Sequence, residues 1–239
     1  RLTVVGALGG NYIFKPPSPD YPEMPQNEHV TMRIAESFGI QTVPSSLIRL
    51  KSGELSFITK RIDRTEDGQK IHMLDMFQIT EAFDKYKSSM EKVGKAIHDH
   101  SKNTLLDKLF LFELTLFSFL TGNNDMHLKN FSMVQSTSSW LLAPAYDLLN
   151  VAIVNPEDQE ELALTLEGKK SKLKRTHFVT FGKGLGLTNK QIQGVFSRFY
   201  EKKTDALDWV NNSFLSQLMK EKYIALVMER YGRIFENPM

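Results

Sequence analysis

The chain contains no cysteine among its 239 residues. Disulfide bonds and thiolate metal sites are therefore excluded, and the composition fits a reducing compartment, so we expect a cytoplasmic protein. Long hydrophobic runs are also missing, and no signal-peptide pattern opens the sequence. The most apolar stretch, residues 105–120, is interrupted by Asp107, Lys108 and Glu113. This pattern favours a buried helix over a membrane span, so no membrane contact is expected.

An excess of charge of one sign is missing as well. The formal net charge is +2, which gives no general attraction to nucleic acid or membrane. One basic run, residues 169–175, contains five cations and could contact a nucleic acid or an acidic protein. Four acids nearby, Glu157, Asp158, Glu160 and Glu161, favour internal charge compensation instead. We therefore expect no direct DNA contact.

Strands are predicted to dominate the first part of the chain. Two of them, residues 2–5 and 11–15, flank a turn that contains Gly6, Gly9 and Gly10. Five prolines then exclude regular structure until a helix that begins near Gln26 and ends at Gly39. Two further strands, residues 42–50 and 55–62, form a predicted hairpin.

Helices are predicted to dominate from Ile71 onward. The clearest one is capped by Asn103, ends at Gly122 and has an apolar face that includes Leu105 and Leu106. A short hairpin follows, and later helices are predicted from Thr188, in a capping box with Gln191, to Tyr200 and from Ser213 to Tyr231. These elements predict an α+β chain with a small strand-rich lobe, residues 1–64, and a mostly helical lobe, residues 65–239.

The most informative segment is Gly122–Asn130, which reads Gly-Asn-Asn-Asp-Met-His-Leu-Lys-Asn and lies on the loop after the long helix. Asp125 can accept the proton of an attacking hydroxyl, while Asn130 and the later Asp147 can supply oxygen ligands for Mg²⁺. The spacing from Asp125 to Asn130 is that of the H-R-D-x-x-x-x-N catalytic loop of protein kinases. The alternative is a polar turn with a capping acid, but the addition of Lys15 and Asp147 favours phosphoryl transfer from ATP.

Four other residues are candidates for this site. Lys15 ends a strand and can direct its ammonium at nucleotide phosphates, unless it is simply solvated. Glu28 can pair with Lys15 or with the metal shell, or merely complement a helix dipole. His127 can orient Asp125 or contact phosphate, although a lone loop histidine is more often structural. Lys129 can neutralise the transferred charge.

The segment from Lys60 to Arg64 ends the last predicted strand of the small lobe. In a two-lobed kinase this connection contacts the adenine edge through its backbone, and here Lys60 and Ile62 would present those groups. Asp63 could reach a ribose hydroxyl. The alternative interpretation is an ordinary charged strand end.

Together these residues resemble the HipA-like serine/threonine kinases of bacterial toxin–antitoxin systems, especially the compact HipT type. The matching segments are Tyr12–Pro16, Asn27–His29, Lys60–Arg64, Gly122–Ser132 and Tyr146–Asp147. The resemblance implies a protein-kinase-like fold in which Lys15 binds ATP phosphates, Lys60, Arg61 and Ile62 bind adenine, and Asp125 is the catalytic proton acceptor. It also implies a nucleotide and metal site that is lined by His127, Leu128, Lys129, Asn130, Tyr146 and Asp147, with Asn130 and Asp147 as the Mg²⁺ ligands.

The resemblance also implies partners and an upstream segment. The family phosphorylates an aminoacyl-tRNA synthetase and is inhibited by antitoxin proteins, one of which binds DNA. Its Gly-rich loop with a regulatory serine is expected before Arg1, and longer relatives carry a further N-terminal subdomain. Two rival functions stay open at this point: a small-molecule or lipid kinase of related fold, and a catalytically idle, kinase-like module that binds a partner.

Overall fold

The structure is a computed structural model that describes residues 2–3 and 10–236. Its first part is an antiparallel four-stranded sheet in the order β1-β2-β4-β3. The strands are β1 (Leu2–Thr3), β2 (Tyr12–Lys15), β3 (Ser45–Arg49) and β4 (Leu55–Lys60). Each of the four predicted strands has a counterpart, although residues 4–5 of the first and the turn residues Gly6 and Gly9 lie outside the described residues.

Helix α1 (Met24–Ser37) covers one face of this sheet with the buried side chains of Val30, Ile34 and Ala35. It begins slightly earlier than predicted, because a proline is tolerated in the first turn of a helix and Pro25 occupies that turn. The hydroxyl of Thr31 lies 2.9 Å from that of Tyr223, so this helix also contacts the second part of the chain.

Helix α4 (Thr104–Thr121) runs through the core of the second part, and every side chain from Leu111 onward is buried. The predicted apolar face was too long, since Leu105 and Leu106 are 52% and 65% exposed. No side chain before Leu111 is buried, so the first turns extend beyond the core. The helix ends at Gly122, as predicted, and a φ of 71° at this residue explains the preference for glycine.

The described part of the chain contains six further α-helices. They are α2 (Met76–Ile79), α3 (Met90–His100), α5 (Arg175–Gly184), α6 (Asn189–Glu201), α7 (Lys203–Asn211) and α8 (Gln217–Tyr231). Of these, α3, α5 and α8 pack against α4. The capping box predicted at Thr188 and Gln191 is present. Helix α8 begins later than the predicted Ser213, because Ser216 provides its N-cap by accepting a hydrogen bond from the backbone of Met219.

A second antiparallel sheet in the order β5-β6-β7 stands beside the helices. Its strands are β5 (Met73–Asp75), β6 (Ser132–Ser136) and β7 (Ser139–Leu142), and the last two form the predicted hairpin. We call the first sheet with α1 the small lobe and the remaining elements the large lobe. This is the α+β, two-lobed arrangement that the sequence predicted. None of the described helices combines the length and the apolar character that crossing a bilayer requires.

The basic run is partly compensated, as its acidic surroundings predicted. Lys170 forms an ion pair with Glu160 at 3.0 Å. The guanidinium of Arg175 lies 4.0 Å from the centroid of the Phe196 ring and donates to Gln193. Two cations of the run therefore have partners within the chain.

Candidate active site

Lys15, at the end of β2, is the centre of a charge cluster between the lobes. Its ammonium bonds Glu28 of α1 at 2.6 Å and also bonds the carboxylate of Asp147. Burial disfavours the charged amine, but the two carboxylates outweigh it and hold the pKa of Lys15 above its ordinary value. The three residues that the sequence predicted separately thus form one hydrogen-bonded group.

Asp147 adopts an unusual backbone conformation, with a φ of 60° in the left-handed region. This region is disfavoured for residues with a side chain, and such residues persist only where neighbouring contacts hold them. The contacts come from both sides of Asp147. Residues 41–43 pair with Ala145, and the side-chain amide of Asn27 bonds both backbone groups of Asn150.

The chain around Asp147 bonds the two lobes in turn, and we call residues 143–152 the seam segment. Ala145 bonds the small lobe, because its N–H donates to the Gln41 carbonyl at 2.8 Å and its carbonyl accepts from Val43 at 3.0 Å. Other residues of the seam segment bond the large lobe. The N–H of Ala143 donates to the Ser132 carbonyl, the hydroxyl of Tyr146 to the Lys129 carbonyl, and the N–H of Ala152 to the Gly122 carbonyl. Asp147 is therefore fixed relative to both lobes.

A cavity of about 290 Å³ lies beside the charge cluster. It collects most of the predicted nucleotide residues, namely Lys15, Lys60, Arg61, Ile62, Asp63, Lys129, Tyr146 and Asp147. The lining also includes residues to which the sequence assigned no role, among them Asp75, Gln78 and Ser132. Asp75 and Gln78 form a capping box at the start of α2, which is a readable sequence pattern. Ser132 ends the matching segment Gly122–Ser132, but no role was predicted for it.

The strand end at Lys60 leaves specific backbone groups without a partner. The N–H of Lys60 donates to the Pro44 carbonyl and that of Arg61 to the Asn11 carbonyl, both at 2.8 Å. The Lys60 carbonyl points the same way as its N–H, toward Pro44, which has no N–H to donate. No described residue accepts from the N–H of Ile62. One acceptor and one donor therefore remain on two residues that line the cavity.

The carboxylate of Asp63 accepts hydrogen bonds from two arginines. Arg61 donates to both of its carboxylate oxygens, at 2.8 and 2.6 Å, and Arg64 donates to one of them at 2.7 Å. The hydrogen bonds from Arg61 are the main reason why the pKa of Asp63 lies below its ordinary value. A ribose hydroxyl at this position would share the carboxylate with both guanidinium groups.

The loop after Gly122 is closed by its own hydrogen bonds. The carbonyl of Asp125 accepts from the backbone N–H of His127 at 2.8 Å and from the side-chain amide of Asn130 at 2.9 Å. Residues 128–130 form a 3₁₀ turn, and the side chain of Leu128 is fully buried in the core. Leu128 therefore anchors the loop in the core, while Asp125 remains partly exposed.

Asp125 lines a second cavity, of about 540 Å³, which is separate from the one at Lys15. Its carboxylate accepts a hydrogen bond from the hydroxyl of Tyr86 at 2.8 Å. The cavity has an apolar part that includes Met24, Val151 and Val154. The two cavities thus differ in chemistry. The first is lined by four cations and three carboxylates. The second is lined by three carboxylates, one lysine and several apolar side chains.

His127 is buried, and its Nε2 lies 2.9 Å from the ammonium of Lys85. Burial is the main cause that lowers the pKa of His127, and the Lys85 charge acts in the same direction. An ammonium can only donate, so Nε2 accepts and the neutral ring carries its proton on Nδ1. The buried Nδ1 has no partner among the described residues and is a free donor.

The donor set fits a magnesium ion that shares its ligands with a nucleotide. No group of three or more His, Asp or Glu side chains in the described ranges could hold a metal by itself. Mg²⁺ commonly takes only one or two carboxylates and completes its shell with water and substrate phosphates. Asp147 supplies a carboxylate, and the amide of Asn130 points its nitrogen at Asp125, which leaves its oxygen for a ligand.

Comparison with known proteins covers nearly the whole chain. The family model described as HipA-like C-terminal domain matches residues 2–207. A candidate kinase of Haemophilus influenzae is 28% identical over 254 aligned residues, which cover 94% of this chain and 73% of that protein. The serine/threonine-protein kinase toxin HipA of Shewanella oneidensis is 24% identical over 225 residues, which cover 84% of this chain and 51% of the toxin. The chain thus spans about half the length of that toxin.

Two solved structures share the fold. HipA of Shewanella oneidensis, in a complex with HipB and its operator DNA, superposes with a TM-score of 0.81 at 19% identity, covering 95% of this chain and 59% of HipA. The Helicobacter pylori proinflammatory kinase CtkA superposes with a TM-score of 0.67 at 18% identity, covering 94% of this chain and 88% of CtkA.

Proposed function

The chain belongs to the HipA-like C-terminal domain family, and from this premise we propose that it is an ATP- and Mg²⁺-dependent kinase that phosphorylates serine or threonine in proteins. The observation that carries the proposal is the group formed by Lys15, Glu28 and Asp147, which lies in the same cavity as the free backbone groups of Lys60 and Ile62. A second cavity with Asp125 in its wall adjoins the same loop. This arrangement offers one site for a nucleotide and another for an acceptor.

The nucleotide would lie in the first cavity. The Lys60 carbonyl and the Ile62 N–H match the donor and acceptor edge of adenine, and Arg61 and Asp63 lie beside the position of the ribose. Lys15 would bind the phosphates from a rigid strand, with Glu28 fixing its orientation. Phosphoryl transfer depends mostly on such positioning and on charge stabilisation.

The catalytic loop would act on the acceptor. Asp125 accepts the proton of the substrate hydroxyl, and Lys129, which lines the nucleotide cavity, stabilises the transferred charge. The free Nδ1–H of His127 is a donor for a phosphate oxygen. Asn130 and Asp147 would hold Mg²⁺, which neutralises the phosphate charge when it is bound.

We place the boundary between the lobes after Arg64, shortly beyond the end of β4 at Lys60. We propose the toxin role and the partners only by analogy with the family. The HipA relative was solved together with HipB and operator DNA. By analogy we propose a DNA-binding antitoxin partner for this chain, without direct DNA contact of its own, and an aminoacyl-tRNA synthetase as the protein substrate.

Replacement of the proposed base tests this function. Asp125→Ala is expected to lower phosphate transfer from ATP to protein by roughly 10²-fold or more, the scale of a positioned acid–base group. ATP affinity should stay nearly the same, because the base acts on the hydroxyl and not on the nucleotide. The measurement is transfer of labelled phosphate to casein and to purified aminoacyl-tRNA synthetases, with calorimetry for ATP binding.

Asp99→Ala is the matched control, since Asp99 is an exposed acid on the surface of α3 whose one ion-pair partner among the described residues is Lys95. Near-normal activity of Asp125→Ala would refute the catalytic-loop assignment. Transfer to phosphoinositide vesicles or sugars but not to protein would replace a protein kinase with a lipid or small-molecule kinase. ATP binding without any transfer would indicate an idle module.

A further inference from the structure

The side chain of Asp125 is held by a residue outside its own loop. Tyr86, from the loop between α2 and α3, donates its hydroxyl to Oδ1 of Asp125 at 2.8 Å, across a sequence separation of 39. The other bonds within the loop, from His127 and Asn130, reach only the backbone carbonyl of Asp125. Among the described residues, Tyr86 alone bonds the carboxylate, and it leaves Oδ2 open.

Tyr86 is itself firmly placed against the same loop. Its ring contacts the His127 ring edge-on, with centroids 5.2 Å apart. The Lys85 ammonium lies 4.7 Å from the centroid of the Tyr86 ring. The Lys85 ammonium also bonds Nε2 of His127 at 2.9 Å, and the backbone carbonyl of Lys85 accepts the N–H of Leu128 at 3.2 Å. Residues 85 and 86 therefore make three contacts with the loop: one between the Tyr86 and His127 rings and two hydrogen bonds that involve Lys85. These contacts fix the position of the Tyr86 hydroxyl.

The hydroxyl of Tyr86 remains a donor at every pH of interest. Burial, followed by the hydrogen bond and the charge of Asp125, raises the pKa of Tyr86 to about 12. The two neighbouring acids Asp84 and Asp158 act in the same direction. A neutral phenol gives one stable hydrogen bond to a carboxylate without competing for the proton that the carboxylate accepts.

We propose that Tyr86 is a positioning residue for phosphoryl transfer, whose hydroxyl fixes one oxygen of Asp125 and thereby directs the other to the acceptor hydroxyl. The inference rests on the proposed function, because it assigns Tyr86 a role only through Asp125. Tyr86 and Asp125 line the same cavity, so an acceptor bound there would meet the carboxylate already oriented. Misplacement of a reacting group by an ångström can cost about 10²-fold in rate.

Tyr86→Phe tests the proposal, because it removes the hydroxyl and retains the ring that contacts His127 and Lys85. With casein as the acceptor, kcat is expected to fall roughly 10-fold, in line with the loss of one hydrogen bond to a charged group. KM for ATP should change less than about twofold, since the hydroxyl is outside the nucleotide cavity. Tyr200→Phe is the matched control: Tyr200 is exposed and its hydroxyl bonds no described residue.

A double-mutant comparison separates positioning from a general effect on folding. In single-turnover measurements with excess enzyme, Tyr86→Phe should add no further loss to Asp125→Ala, because the hydroxyl acts only through that carboxylate. A further 10-fold loss in the double variant would show that Tyr86 acts elsewhere. An unchanged kcat in Tyr86→Phe would also overturn the proposal. An increased kcat would overturn it as well, because it would show that Tyr86 hinders binding of the acceptor. If Asp125→Ala alone keeps full activity, the catalytic role of Asp125 fails and the positioning role of Tyr86 fails with it. If the parent protein itself transfers no phosphate to protein, the proposed function fails.

Discussion

At the scale of single residues, the backbone conformation of Asp147 limits which residues can replace it without strain. Its φ of 60° lies in a region that asparagine tolerates better than most residues. Asparagine also has the same shape as aspartate. Asp147→Asn therefore removes the negative charge with little change in the fold, whereas alanine would add backbone strain.

We expect Asp147→Asn to weaken the binding of Mg·ATP, because a neutral amide replaces the carboxylate ligand. Binding of ATP in the presence of EDTA should change much less. Calorimetric titrations with and without Mg²⁺ measure the difference, and Asp99→Asn on the surface of α3 is the control. Equal Mg²⁺ dependence in the variant and the parent would remove Asp147 from the metal shell.

The sequence identified some residues of the site and not others for a physical reason. Asp125 and Asn130 lie in one loop with a fixed spacing, so their pattern is local. Tyr86 and Lys85 reach that loop only through the folded chain, and a tyrosine beside a lysine is unremarkable in composition. Only the tertiary contact of Tyr86 with Asp125 gives it a candidate role.

At the scale of secondary structure, helix α5 has an N-terminus that depends on a neutral histidine. Nδ1 of His177 accepts the backbone N–H of Lys174 at 2.9 Å and completes the cap. Burial, together with the charges of Lys169 and Lys174, lowers the pKa of His177. A protonated ring could not accept this hydrogen bond and would also oppose the positive end of the helix dipole.

Stability is therefore expected to fall on mild acidification. Above about pH 6.5 the ring is neutral in both the folded and the unfolded chain. Below it the unfolded chain takes up the proton more readily, so His177 destabilises the fold as the pH decreases. His177→Gln retains a capping acceptor without a titrating group. Its melting temperature should drop less between pH 7.5 and 5.5, by on the order of 1 °C because the site is largely screened by solvent.

His72→Gln is the matched control, at an exposed position in the large lobe. Parallel melting curves for His177→Gln and the parent across this pH range would contradict the role of the cap.

Among the elements, α4 was predictable because its apolar run is long. Helix α2 and strand β5 were missed since they contain only 4 and 3 residues, too few for a periodic pattern.

At the scale of the whole molecule, one buried amide joins the lobes. The side chain of Asn27 donates to the Asn150 carbonyl at 2.9 Å and accepts the Asn150 N–H at 2.8 Å. Both residues have no exposed surface. The sequence placed Asn27 in a matching segment, but gave no sign that its partner would lie 123 residues away.

Asn27→Ala should destabilise the protein by about 2–4 kcal/mol, because two buried backbone groups lose their partners. The midpoint of urea denaturation measures the loss. The control is Asn103→Ala, at an exposed cap whose side chain makes no capping hydrogen bond, and it should cost less than about 0.5 kcal/mol. A comparable midpoint shift for the two variants would show that the amide pair contributes little to the fold.

The seam segment also restricts how the molecule can move. A hinge normally passes through residues that bond to one body only, but residues 143–152 bond to each lobe in turn. Rotation of one lobe against the other would break these bonds on one side of Asp147 or the other. The distance between Asp125 and Asp147 is thus set by the folded chain and not by the angle between lobes.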